Sequence, residues 1–329
     1  MKSSTAPNRR LGRMITKNLI ILLVLVIVAV LSIWAWFTKQ TTLTADGINV
    51  VCNAPDSVEI AIVAHGANKP KSTDYKTGNI TLSGQSFMKN LALSEITSDG
   101  VDFVKPMLKQ VDGVAQPDTE VDWETAEPNE RYLSFDLYLR SKGMPTVSLD
   151  KGSSFTTVST SLTGPDAGNI STDNNFSRDA IVGAARFSIF ENVVNEGVTS
   201  AVRKILWIPR PDLYLSTAGG ASLTENVSKD KFDGITYQHT YWVYDRTNNL
   251  KQKLTMPESD VTTSEEVNGE YVLNTKKQIA TLSNSQEFDD GVYFVSKVVC
   301  NMWIEGEDTE ARLALVKGKF NIDLKLTIK

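Results

Sequence analysis

Histidine is almost missing from this chain: there are two in 329 residues, His65 and His239, 174 positions apart. No H-E-x-x-H pair occurs, so a zinc peptidase of that kind has no ligand set. His65 precedes a glycine in a loop with no partner nearby in sequence, and His239 sits between Tyr237 and Tyr241 in a strand-like run. No G-x-S-x-G elbow exists to present a nucleophilic serine, and no G-x-G-x-x-G loop to cradle phosphate. Cysteine is as scarce. Cys52 and Cys300 each lie in an apolar run (INVVC, SKVVCNMWI), where a thiolate is poorly stabilised. These absences leave no constellation for an enzyme and no cofactor site. An excess of basic charge is missing too. The chain has 34 Lys+Arg against 39 Asp+Glu, and removing the five basic residues among the first 18 leaves 29 against 39, net −10. An acidic surface repels phosphate backbones, which sets nucleic acid aside as a partner.

What the chain does have is one long apolar run. From Leu19 to Phe37 nineteen residues pass without a charge. As a helix they span about 28 Å, close to the hydrocarbon thickness of a bilayer. Five basic residues and no acidic one precede the run (Lys2, Arg9, Arg10, Arg13, Lys17). That asymmetry keeps residues 1–18 in the cytoplasm and sends 38–329 outward. Two fates are open. Its length favours a retained membrane anchor, because secretory h-regions run about 7–15 residues. Cleavage after Ala35 is the other, although Ile33 is larger than such a site prefers. Either way residues 38–329 are expected at the cell surface or secreted.

Two cysteines in an oxidising exterior invite one disulfide. A Cys52–Cys300 bridge closes a loop of about 250 residues, worth about 5 kcal/mol in the chain-entropy model. Two buried free thiols in strands are the competing reading.

Beyond the apolar run the pattern has period two, which predicts an all-β sandwich or barrel. In Tyr132–Ser141, Leu133, Phe135, Leu137 and Leu139 share one face, with Ser134, Asp136, Tyr138 and Arg140 on the other. In Lys319–Lys329, Phe320, Ile322, Leu324, Leu326 and Ile328 form an apolar row opposite Lys319, Asn321, Asp323, Lys325, Thr327 and Lys329. Half-buried antiparallel strands look like this. Further strands are expected at 48–52, 57–63, 79–82, 146–149, 180–190, 204–207, 213–216, 236–244, 271–282 and 292–304. Short helical turns are expected at 87–93 and 192–202. Two polar stretches, near 64–130 and 219–270, read as insertions on a single domain, with two separate domains as the alternative. No Pro- or Ser-rich linker separates them.

Glu305, Glu307, Asp308 and Glu310 fall within six residues, a density of oxygen ligands that can hold Ca²⁺. The spacing fails the EF-hand pattern, and a solvated hairpin loop explains it as well. The run ITYQHTYWVYD places Tyr237 and Tyr241 on one face of a strand and Trp242 and Tyr244 on the other. These aromatics are the candidate contacts if the domain is a binding or adhesion module.

At the end of the apolar run the sequence reads LSIWAWFTKQTTLTADGINV. It resembles the signal region of the TasA/camelysin group, bacterial surface proteins whose export depends on the SipW signal peptidase. Ala35, Trp36, Phe37 and Thr38 match its Ala-aromatic-Phe-polar close. FDLYLRS (Phe135–Ser141), AIVGAARFSIF (Ala180–Phe190) and WIEGED (Trp303–Asp308) have the look of the same group. The resemblance implies a jelly-roll sandwich, export with cleavage near Ala35 by a specialised signal peptidase, and a role as a matrix fibre subunit or surface protein. Self-association then has a natural device, donation of a strand to a neighbour's open edge. Thr41–Cys52 is the candidate donor, with Leu43, Ile48 and Val50 filling partner grooves, and Lys319–Lys329 the candidate receiving edge. Deleting residues 39–51 is expected to abolish assembly without unfolding the domain.

Overall fold

The structure, a computed structural model, describes residues 43–44, 48–89, 91–93, 95–107, 109–111, 114–116, 122–158, 180–195, 197–209, 240–245, 250–255, 261–305 and 320–329. The first strands are β1 (Leu43–Thr44), β2 (Ile48–Ala54), β3 (Glu59–Ala64), β4 (Gly78–Thr81), β5 (Ala92–Leu93), β6 (Glu95–Ser98), β7 (Phe103–Met107) and β8 (Lys109–Val111). Next come β9 (Val114–Gln116), β10 (Asp122–Thr125), β11 (Leu133–Ser141), β12 (Thr146–Leu149), β13 (Ser154–Thr157), β14 (Ala185–Asn195), β15 (Val198–Trp207) and β16 (Thr240–Asp245). The last are β17 (Leu250–Thr255), β18 (Val261–Thr262), β19 (Ser264–Val267), β20 (Glu270–Leu273), β21 (Lys277–Thr281), β22 (Asn284–Phe288), β23 (Gly291–Glu305) and β24 (Phe320–Ile328). One short helix, α1 (Ala180–Ala184), and two 3₁₀ turns (Ser72–Asp74, Ser86–Met88) interrupt them. The protein is all-β, as the period-two pattern predicts.

The chain divides into a small unit, residues 1–40 and 107–122, whose described strands form the β8–β9 hairpin, and a large unit of residues 41–106 and 123–329. The large unit holds two large sheets and the two-stranded pairs β1–β5 and β16–β17. In the ten-stranded sheet the order is β10-β7-β6-β23-β14-β15-β18, with β11 and β22 also on β23 and β3 on β11. In the eight-stranded sheet it is β19-β20-β13-β24-β12-β21, with β2 on β24 and β4 on β2. The pairs β2–β24, β6–β23 and β15–β18 are parallel, so the sheets are mixed rather than purely antiparallel. Chain ends distant in sequence can pair this way because a parallel ladder needs no tight turn.

Both sheets turn their apolar rows into one sandwich-like core. From the ten-stranded sheet come Ile60, Leu133, Phe135, Phe187, Cys300 and Met302, and from the eight-stranded sheet Val50, Cys52, Phe155, Phe320, Ile322 and Leu324. Phe155 on β13 meets Trp207 on β15 edge to face at 4.7 Å, an arrangement the ring quadrupoles favour. The Trp207 indole N–H donates to Ser264 Oγ at 2.8 Å, so its polar edge is satisfied in the interior.

Several expected elements take other forms. Residues 180–184, expected to open a strand, are α1, and β14 starts at Ala185. Residues 192–202, expected as helical, are the arms of the β14–β15 hairpin, which turns at Gly197 with φ 81°. Val193, Val194, Val198, Thr199 and Val202 are β-branched and suit strands better. Residues 87–93 form a 3₁₀ turn and then β5, and the strand expected over 271–282 is two, β20 and β21.

Candidate functional site

The end of the candidate donor segment, Ile48–Cys52, lies inside the eight-stranded sheet, between β24 and β4. β2 runs parallel to β24 with Ile48 opposite Phe320, Val50 opposite Ile322 and Cys52 opposite Leu324. Its other edge is antiparallel to β4, with Val51 opposite Thr81 and Cys52 opposite Ile80. The Leu82 N–H donates to the Val50 carbonyl at 2.9 Å and extends that ladder. Val50, Cys52, Leu82, Phe320 and Ile322 are all fully buried. On the opposite face the Asn53 amide donates to the Asp323 carboxylate, tying β2 to β24 through side chains as well. Leu43 lies earlier, on β1, opposite Leu93 of β5.

This placement corrects the expectation that β24 is an edge. It is interior, with β2 on one side and β13 and β12 on the other. The exposed charge of Lys325 belongs to the sheet's outer face, not to a guarded rim. The expectation for the 39–51 deletion changes with it. Removing Ile48–Val51 strips half of β2 and opens the core beside Ile322, so the truncated domain needs a replacement strand to stay folded.

Cys52 points into the core from β2, and Cys300 does so from β23 in the other sheet, where Phe135 and Ile189 flank it. Both are free thiols in the same apolar cluster. Burial first, then the Asp323 charge, pushes Cys52 up to about 12. Burial, Cys52 itself and Asp136 hold Cys300 well above the ordinary thiol value. Both stay protonated at neutral pH and are poor nucleophiles while the core is closed.

The outer face of β11 and β23 carries a second concentration of chemistry. Sequence alternation puts Ser134, Asp136, Tyr138 and Arg140 on the polar side of β11, yet Asp136 is 1% and Arg140 3% exposed. At one end a satellite cluster of Ile96, Phe103, Ala126, Tyr132, Leu206 and Trp303 covers this face. At the other, Arg140 is packed against the rings of Tyr75 (4.4 Å), Phe288 (5.0 Å) and Tyr293 (4.1 Å). Its guanidinium donates to Glu59 (Nε, 2.6 Å) and to Asp290 (Nη2, 2.9 Å), and Ser72 also donates to Asp290. Burial opposes the Arg140 charge, but its hydrogen bonds to Asp290 and Glu59 outweigh that and raise its pKa. The Ser72 hydroxyl, with help from Arg140, draws Asp290 down to about 2.

Between the two ends Asp136 has two side-chain partners. His65 Nδ1 lies 2.6 Å from one carboxylate oxygen and Lys297 Nζ 2.8 Å from the other. Burial acts to raise Asp136, but the hydrogen bonds and charges of His65 and Lys297 prevail and its pKa falls. His65, without a partner in its local sequence, finds one 71 positions away. A cavity of about 460 Å³ opens beside Arg140, lined by Glu59, Lys142, Met144, Tyr293 and Ile328 among others. Lys142 Nζ sits 3.5 Å from the Tyr293 ring centroid. Arg140 is already held by two carboxylates, Glu59 and Asp290, on the wall of this cavity.

The remaining candidates are scattered. Glu305, proposed with the Ca²⁺ group, is buried at the end of β23 and accepts from the Trp303 indole at 3.0 Å. Glu307, Asp308 and Glu310 lie outside the described residues, as do Tyr237 and the run 19–37. Tyr241, Trp242 and Tyr244 fall on β16, which pairs with β17. Among the described residues no helix is long and apolar enough to cross a membrane, and no group of His, Cys, Asp and Glu is arranged to hold a metal. Comparison with family models, with curated proteins and with solved structures returns no match.

Proposed function

We propose that this chain is an exported, non-enzymatic structural protein of the cell surface or extracellular matrix. In this reading it is a jelly-roll-like β-sandwich with loop insertions, preceded by a transmembrane or signal helix, and it self-associates by donating β2. The resemblance of residues 31–50 to TasA/camelysin signal regions supports the export and the class. The observation that carries the assembly is the β2–β24 ladder. The first strand of the sandwich lies parallel to its last and buries Val50 and Cys52 completely. A second copy's β2 reproduces every one of those contacts in the same slot, which is why exchange of an identical element costs little.

The link to the rest of the chain favours such an exchange. Only Pro55–Val58 separates β2 in one sheet from β3 in the other. A Val58 N–H to Pro55 carbonyl bond of 2.9 Å closes this tight hinge. Short hinges of this kind invite swapping when opening them relieves strain. Residues 38–329 imaged by negative-stain electron microscopy over a concentration series test the reading. Ordered filaments, shortened by an excess of a peptide spanning residues 46–54, are the expected result. Uniform single particles at every concentration would overturn it.

A further inference from the structure

The β14–β15 hairpin runs past the sheet that holds it. β14 pairs with β23 from Ala185 to Phe190, and β15 with β18 at Leu206 and Trp207. Beyond those points Glu191–Asn195 and Val198–Val202 pair with each other and, among the described residues, with no further strand. The outer edge of each is therefore open. Register and alternation put Val193, Val198 and Val202 on the side of the hairpin that carries Phe187 and Ile189 into the core. Out on the arm they meet solvent, with Val198 67% and Val202 40% exposed. The edges elsewhere are different. Glu265 and Glu266 stand on β19, Lys277 on β21, Glu287 on β22 and Asp122 and Glu124 on β10, each strand paired along one side among the described residues. Charges of that kind keep a free edge from meeting another. From Val198 to Val202 the arm reads VTSAV, with no charge and with three β-branched residues that suit a strand.

We propose that the outer edge of β15 pairs with the same edge of a second copy of the chain, antiparallel about a two-fold axis at Ser200. An open edge offers a row of unpaired N–H and C=O groups, and another strand completes them. This edge fits itself. Ser200 lies opposite its own counterpart, Val198 opposite Val202, Thr199 opposite Ala201 and Arg203 opposite Gly197, so no like charges are opposed. One face of the joined arms then gathers Val193, Val198 and Val202 from both copies, giving each valine apolar neighbours that the single arm lacks. One strand a side is well below the roughly 800 Å² per partner of a stable dimer, so the pairing is reversible and rises with concentration. It closes at two copies, and it is independent of β2 donation, which runs head to tail.

The full-length chain carrying Ser200→Cys, purified in detergent, is oxidised with copper phenanthroline over a concentration series and run on a non-reducing denaturing gel. The expected product is a covalent dimer that dithiothreitol removes. Val194→Cys is the control, because Val194 is 65% exposed and meets other chains as freely by collision. In the paired arms its two copies stand three strand spacings apart, about 14 Å, beyond the reach of a disulfide. The unmodified chain, whose Cys52 and Cys300 are buried, gives the background. Monomers alone, or equal yields from Ser200→Cys and Val194→Cys, overturn the pairing. Ser200→Lys sets two like charges opposite each other at the axis and should weaken dimerisation about fivefold in analytical ultracentrifugation, and mixing it with Ser200→Glu should restore it. Undiminished dimerisation of Ser200→Lys overturns the pairing as well. Residue 200 is exposed, so these variants keep the fold, which unchanged tryptophan fluorescence verifies. Filaments without the cross-link overturn this contact and leave strand donation standing, whereas the cross-link in uniform single dimers keeps the contact and overturns donation.

Discussion

β24 and β11 look alike in sequence and live in different surroundings. Each is a nine-residue strand with a strict apolar row, buried along β11 and buried from Phe320 to Leu326 on β24, where Ile328 at the end is exposed. On β24 the opposite row meets solvent, with Asn321 and Lys325 exposed. On β11 the opposite row is closed off at both ends, and its charges are buried with four partners from β3 and its following loop and from the β22–β23 hairpin. Asp136 holds His65 and Lys297, while Arg140 holds Glu59 and Asp290. A charge taken out of water must be paired and hydrogen-bonded or it neutralises. The difference teaches that alternation identifies the inner face of a strand but leaves open what lies over the outer one.

Breaking the shared part should cost most. Phe135→Ala on β11 and Phe320→Ala on β24 each leave a cavity in the same core, and each should cost about 3–5 kcal/mol in urea unfolding followed by tryptophan fluorescence. Equal losses would show that the two inner faces are equivalent. The outer faces should then separate. Arg140→Ala removes the cation between two carboxylates and three rings and should cost about 3 kcal/mol. Lys325→Ala on the outer face of β24 should fall within about 0.5 kcal/mol of zero in the same assay. A loss at Lys325 as large as that at Arg140 would erase the distinction.

Acid offers a gentler probe of the same contrast. The folded-state pKa of Asp136 lies below its ordinary 3.8, and so does that of Asp290, at about 2. A depressed carboxyl contributes stability that is fully present above the unfolded value and lost as pH falls through the folded one. Stability should hold down to about pH 4 and drop from there toward about pH 2. Asp136→Asn should flatten part of that drop, as thermal melts between pH 2 and 6 would show. An unchanged acid limb in the variant would remove Asp136 from the account.

The apolar rows of residues 133–139 and 320–328 were legible because a strand repeats every two residues whatever lies around it. The bounds of β12 and β23, and the all-β class, follow from the same signal. The Arg140 and Asp136 clusters were not legible, since their members lie as far apart in sequence as His65 and Lys297, 232 positions, and each looks like an ordinary surface charge in its own segment. Glu59 and Asp290 meet only because β3 and the β22–β23 hairpin both pack beside β11.

By itself, then, the sequence determined that the chain beyond the apolar run is β-structured and which face of each long strand turns inward. Only the tertiary structure decided that β24 is interior rather than an edge, that β2 is its parallel neighbour, and that Cys52 and Cys300 share one core. The reason is physical. Periodicity is a property of the local backbone, whereas which strand lies next to which is settled by the burial of surfaces contributed from opposite ends of the chain.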